Sequence, residues 1–69
     1  MMFEIICHMK SGKTSYGFAS LEDFGVISLN EVITMLTGNG CRRWLQLFKK
    51  EDGTGTVLID THEVETYYI

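Results

Sequence analysis

Ser28-Leu29-Asn30-Glu31-Val32-Ile33-Thr34-Met35-Leu36-Thr37 is the stretch on which the fold turns. Ser28 and Glu31 stand three apart, the spacing of a reciprocal helix cap. The serine hydroxyl accepts from the Glu31 amide, and the glutamate carboxylate accepts from the Ser28 amide. Ile27 before the cap and Val32 after it are placed to form a hydrophobic staple. Leu29, Val32, Ile33 and Leu36 then recur at i, i+3, i+4 and i+7, so one stripe of the helix is apolar. Gly38-Asn39-Gly40 ends it with residues that tolerate positive φ. A short capped helix with a single apolar stripe needs a partner layer, and the sequence on either side supplies one.

Upstream, Phe3 to Met9 alternates, with Phe3, Ile5, Cys7 and Met9 on one face and Glu4, Ile6 and His8 on the other. Ser11-Gly12-Lys13 makes a turn, and Thr14, Tyr16 and Phe18 resume the alternation, so an N-terminal hairpin is expected. Ser20-Leu21-Glu22-Asp23 fits a capping pattern, but Gly25 follows at once and limits any helix there to one turn. Downstream, Trp44, Gln46 and Phe48 alternate with Leu45 and Leu47. After the turn-rich Glu51–Gly55, Thr56 to Asp60 is a strand with Val57 and Ile59 inward. Thr61-His62 bends the chain before a last strand within Glu63–Ile69. The order is β-β-α-β-β: an α+β fold with an antiparallel sheet of four or five strands and one short helix, as a single domain over 1–69.

The 69 residues suffice for one small core, with 45% hydrophobic and 22% charged positions. Chains this short commonly draw on disulfides, a metal or self-association. Cys7 and Cys41 lack metal or redox spacing, and Cys7 falls among inward strand residues, which favours a buried thiol over a Cys7–Cys41 bridge. His8 and His62 are too few for a zinc site, so no metal and no cofactor is expected. That leaves self-association. The N-terminal stretch lacks a basic region and the apolar runs are too short to span a bilayer, so a cytoplasmic protein is expected, without membrane contact.

Ser11-Gly12-Lys13-Thr14 resembles the end of a phosphate-binding loop. Cys7 occupies the place of the required glycine, however, and a strand follows where the loop needs a helix N-terminus. Asp60, His62, Glu63 and Glu65 gather near the end of the chain and could bind a metal or work as acid and base, but the second histidine of a helical zinc motif is missing, and Glu63 and Glu65 share a strand face as solvated charges do. Cys41 beside Arg42-Arg43 has no identifiable base or oxyanion site. No catalytic residue is assigned, and the chain is not expected to be an enzyme.

All six basic residues lie between Lys10 and Lys50, and the net charge is −3. Arg42, Arg43, Lys49 and Lys50 flank Trp44 and Phe48, the basic and aromatic mixture that binds single-stranded nucleic acid; the same residues also serve to guard an apolar strand from aggregation. Trp44 could be core or contact, and Val64, Tyr67, Tyr68 and Ile69 form an apolar strand suited to pairing with another subunit. Together with Trp44 they are the candidate interface.

The layout as a whole resembles small proteins encoded by phages and prophages of Gram-positive bacteria. The resemblance rests on the Gly12-Lys13 hairpin, the capped helix, Trp44-x-x-x-Phe48, Gly55-x-Val57-x-Ile59 and Val64. It implies a protein that binds something: a host enzyme, a defence component, a nucleotide signal or its own copies. The leading expectation is therefore a non-enzymatic binding protein that acts through protein contacts and self-associates, with a host protein as a further partner. A nucleic-acid-binding module using Arg42, Arg43, Lys49 and Lys50 is the first alternative. An oligomer that holds a small nucleotide between subunits is the second.

Overall fold

The computed structural model describes residues 2–38 and 43–69. Five strands form one antiparallel sheet: β1 (Phe3–Met9), β2 (Thr14–Ala19), β3 (Trp44–Phe48), β4 (Thr56–Asp60) and β5 (Val64–Tyr68), in the order β4-β3-β2-β1-β5. Two helices, α1 (Leu21–Phe24) and α2 (Leu29–Thr37), occupy the connection from β2 to β3. The expected α+β fold is the one observed, with the fifth strand present and the one-turn segment after Ser20 formed as a second helix.

Each helix begins on the box read from its sequence. At α2, the Ser28 hydroxyl accepts from the Glu31 amide at 3.4 Å, and Glu31 Oε2 accepts from the amides of Ile27 and Ser28 at 2.9 and 3.1 Å. At α1, Asp23 Oδ2 accepts from the Ser20 amide at 2.8 Å. Two details differ from expectation. Ile27 is 88% exposed while Val32 is fully buried, so the staple does not close. Glu31 draws the Ile27 amide inward, and the side chain is left pointing out. Gly38 ends α2 at φ −85°, without positive φ. A glycine suits that point for a different reason: a Cβ there would lie 2.8 Å from the Thr34 carbonyl oxygen. Asn39 and Gly40 lie outside the described residues.

The core is Ile5, Cys7, Ala19, Val32, Leu36, Leu45, Leu47 and Ile59. In the hairpin, Phe3 pairs with Ala19, Ile5 with Gly17 and Cys7 with Ser15. Large residues on β1 therefore face small ones on β2, and the space so made is filled from β3. A Cβ on Gly17 would sit 2.5 Å from the Leu47 Cβ, so only glycine lets β3 cross this closely. The consequence for β2 is that its large side chains, Tyr16 and Phe18, point away from the core.

β4 and β5 lie at opposite ends of the sheet order, yet a single 3-10 turn, Thr61–Glu63, joins them. Three residues span that distance only if the sheet curls until its two edges approach at this corner. The turn is tied at both sides: the Thr61 amide donates to the Arg43 carbonyl at 2.7 Å, and the Lys10 amide donates to the Glu63 carbonyl at 2.8 Å. Glu63 thus belongs to the turn and not to the last strand. A register shift in β5 sets Val64 against Met9 and Thr66 against His8, which leaves Glu65 as an extra residue. Plain alternation would put Val64 and Tyr67 on opposite faces. The bulge turns both inward, where they pack against the core.

Candidate functional site

Because paired residues of neighbouring strands share a face, the register defines the outer surface of the sheet. Tyr68 pairs with Ile6 and Ile6 with Tyr16; Phe18 pairs with Phe48, Gln46 with Leu58 and Trp44 with Asp60. An apolar and largely aromatic band therefore crosses all five strands on the face turned away from the core. Trp44 is 54% exposed, Leu58 63% and Tyr68 52%, and Tyr16 is exposed to a similar degree. The Tyr68 ring lies 4.8 Å from that of His8.

The band is not flat. β2 pairs with β3 only at Phe18 and Phe48 and ends at Ala19, so toward Trp44 β3 runs on past the end of β2. The space left there is a groove of about 440 Å³ lined by Asp23 and Phe24 of α1 and by Trp44, Gln46, Phe48 and Leu58. A shallower groove of about 320 Å³ opens where Thr14 and Tyr16 face Lys49 and Val57. On the helical side, Leu29, Ile33 and Met35 are also substantially exposed, and only Val32 and Leu36 of α2 are buried. The apolar stripe read from α2 is thus half used by the core.

The candidate nucleic-acid contacts are divided by the strand between them. Arg43 precedes β3, while Lys49 and Lys50 follow it, a separation of roughly 20 Å at strand rise. Arg43 is committed: its Nε and Nη2 donate to the two Asp60 carboxylate oxygens at 3.3 and 3.2 Å. Its guanidinium carbon also lies 5.4 Å from the centre of the Trp44 ring. The hydrogen bond from Arg43 is the main cause holding the Asp60 carboxyl below its ordinary range, with the His62 amide, 3.0 Å from Oδ1, assisting. Lys49 and Lys50 are exposed. Arg42 lies outside the described residues.

Of the candidate interface, Val64 and Tyr67 pack on the core, whereas Trp44, Tyr68 and Ile69 are exposed. Trp44 is therefore not a core residue. Sequence reasoning missed Leu58 and Tyr16, the two most exposed members of the band. Their signal was available in the strict alternation of β4 and in the small residues Ser15, Gly17 and Ala19 of β2, which mark the inward face by default.

Gly12 and Asp60, both weighed above for chemistry, have structural roles. Gly12, at φ +90°, turns the β1–β2 hairpin, with the Met9 amide donating to the Lys13 carbonyl; a strand, not a helix, follows Thr14. Asp60 caps the 3-10 turn and binds Arg43. Burial pushes the Cys7 thiol up to about 11, so at neutral pH it is held in the protonated, unreactive form. Cys41 lies outside the described residues. Among the described residues, no three His, Cys, Asp or Glu side chains gather closely enough to hold a metal, and no helix is long and apolar enough to cross a membrane. No protein-family model, curated protein or solved structure matches this chain.

Proposed function

We propose that this chain is a small non-enzymatic binding protein of the phage type, acting in the cytoplasm through protein contacts and association with its own copies. The observation that carries the reading is the outward band of Tyr16, Trp44, Leu58 and Tyr68. A domain of this size gains stability from every apolar group it buries, yet here four large side chains lie on the solvent side of one sheet. Clustered apolar exposure of that kind marks contact surfaces, and aromatic residues dominate their centres. Sedimentation across a range from low to high micromolar concentration tests self-association: a mass that rises with concentration is expected, and a constant monomer mass overturns it. Capture from a phage host with the wild-type chain and with Trp44→Ala tests the wider reading. Proteins retained by the first and lost with the second are the expected result.

A second reading draws on one observation, that β3 carries exposed Trp44 and half-buried Phe48 on one face and runs directly into Lys49 and Lys50. Aromatic stacking beside a basic segment suits single-stranded nucleic acid. With Arg43 held by Asp60, phosphate contact would fall to the two lysines. Retention of a single-stranded probe at low salt that fades as salt rises supports this reading, and no retention at low salt ends it.

A further inference from the structure

The sheet has two edges, β4 and β5, and they differ in how they are defended. β5 carries the Glu65 bulge and an exposed carboxylate within the strand, both of which discourage another strand from adding. β4 reads Thr56-Val57-Leu58-Ile59-Asp60, with no proline, no lysine and an unbroken register of five pairs with β3. An undefended, regular and apolar edge is a template for strand addition.

The backbone groups available on that edge follow from the bonds that flank it. The Lys49 amide donates to the Gly55 carbonyl, and the Thr61 amide donates to the Arg43 carbonyl. Hydrogen-bonded and non-hydrogen-bonded pairs alternate along an antiparallel ladder. Gly55, Val57, Ile59 and Thr61 therefore turn their backbone groups toward β3, and Thr56, Leu58 and Asp60 turn theirs to the open side.

We infer that β4 pairs antiparallel with β4 of a second copy, about a twofold axis at Leu58. The inference rests on the self-association reading and names the strand that carries it. The occupant is a second copy because the strand is complementary to itself. In this register Leu58 faces Leu58 and Thr56 faces Asp60 on either side, each as a hydrogen-bonded pair. Val57 faces Ile59 between them and extends the inward apolar surface. Leu58, mostly exposed in one copy, meets its equivalent at the axis beside the Trp44 groove. Like charges do not meet. This register pairs the whole of β4; sliding by two residues in either direction carries two residues of each strand past the end of its partner, and sliding by four toward the 3-10 turn sets Asp60 against Asp60, so one register is favoured.

The test compares sedimentation and circular dichroism of the wild type with Leu58→Pro, Leu58→Lys and Glu65→Lys. The Leu58 amide faces the open side, so proline there removes no bond to β3; lysine sets two ammonium groups together at the axis. A wild-type dimer, folded monomers for both Leu58 variants and a dimer for Glu65→Lys are expected. Leu58→Cys in a Cys41→Ser background should also oxidise to a covalent dimer, since hydrogen-bonded antiparallel pairs stand about 5.5 Å apart at Cα, within disulfide reach. If the wild type dimerises and both Leu58 variants still do, the β4 inference fails while self-association stands. A wild type that stays monomeric removes both, and an assembly larger than a dimer overturns the twofold pairing. Should the Leu58 variants unfold, a dimer in which Leu58→Cys does not crosslink overturns it.

Discussion

Asp60 serves three structures at once. It receives both Arg43 nitrogens, caps the 3-10 turn through the His62 amide, and stands opposite Trp44 at the end of β4. Its carboxyl is held below its ordinary range, mainly by the Arg43 hydrogen bond. A group whose pKa is depressed by folding binds fewer protons in the folded state, so its contribution is present above its unfolded value. That value is about 3.9, and the contribution fades as the pH falls below it through the lower folded value. Asp60→Asn should therefore melt below the wild type at pH 7, with the gap closing as the pH drops below about 4. Thermal melts from pH 2 to 7 on both proteins check this, and a gap that persists unchanged at the acid end would contradict it. None of this was legible in sequence, because Arg43 and Asp60 are seventeen positions apart and meet only through the β3–β4 register. In sequence Asp60 shows only its neighbours His62, Glu63 and Glu65.

At the scale of elements, the hairpins and α2 were readable because their signals are local: alternation, a turn glycine and the Ser28–Glu31 box all act within a few residues. What alternation does not reveal is which face of a strand turns inward when both carry apolar residues. In β2 that choice is made by Gly17, since Leu47 needs the space its side chain would fill. Gly17→Ala should accordingly destabilise the fold by about 2 kcal/mol, a typical cost of overpacking. In a Leu47→Gly background the same change should cost much less, because the Cβ it strikes is gone. Urea unfolding of the two single variants and the double variant measures the coupling; simple additivity would mean that the close approach is relieved elsewhere. The β5 bulge escaped the sequence for a related reason. It answers a demand of β1, that both Val64 and Tyr67 face the core, and no residue in β5 announces it.

For the molecule as a whole, β5 closes the core, whereas the pairing of copies proposed above falls to β4. Tyr67 sits opposite Cys7 and packs on the core, while Tyr68 lies over His8. Removing Tyr67–Ile69 uncovers the inner side of β1. The shortened chain should lose roughly 2 kcal/mol, seen as a melting temperature lower by about 8–16 °C for a domain this small, and it should aggregate on heating. Leu58→Lys, by contrast, should change assembly while leaving the folded spectrum intact. Differential scanning and sedimentation on both variants separate the two roles. A truncated chain that melts like the parent would show that β5 adds nothing to the core. The apolar C-terminal strand is legible as an element; the inward turn of Val64 and Tyr67 is not, because it depends on β1, the strand most distant from them in sequence.

That distance has a consequence in time. β1 and β2 are joined by a short turn, as are β3 and β4, so each hairpin can form soon after its own residues meet. β1, however, receives its second neighbour only from Val64–Tyr68, more than fifty positions later, and the entropy of closing so long a loop must be met before any of those bonds exist. On a ribosome, where synthesis proceeds at about 5–20 residues per second, the outer side of β1 waits for several seconds with Ile6 and its backbone bare. For that interval the growing chain presents an open strand that the finished molecule hides, and whatever meets the nascent chain first, β5 or a stranger, decides its fate.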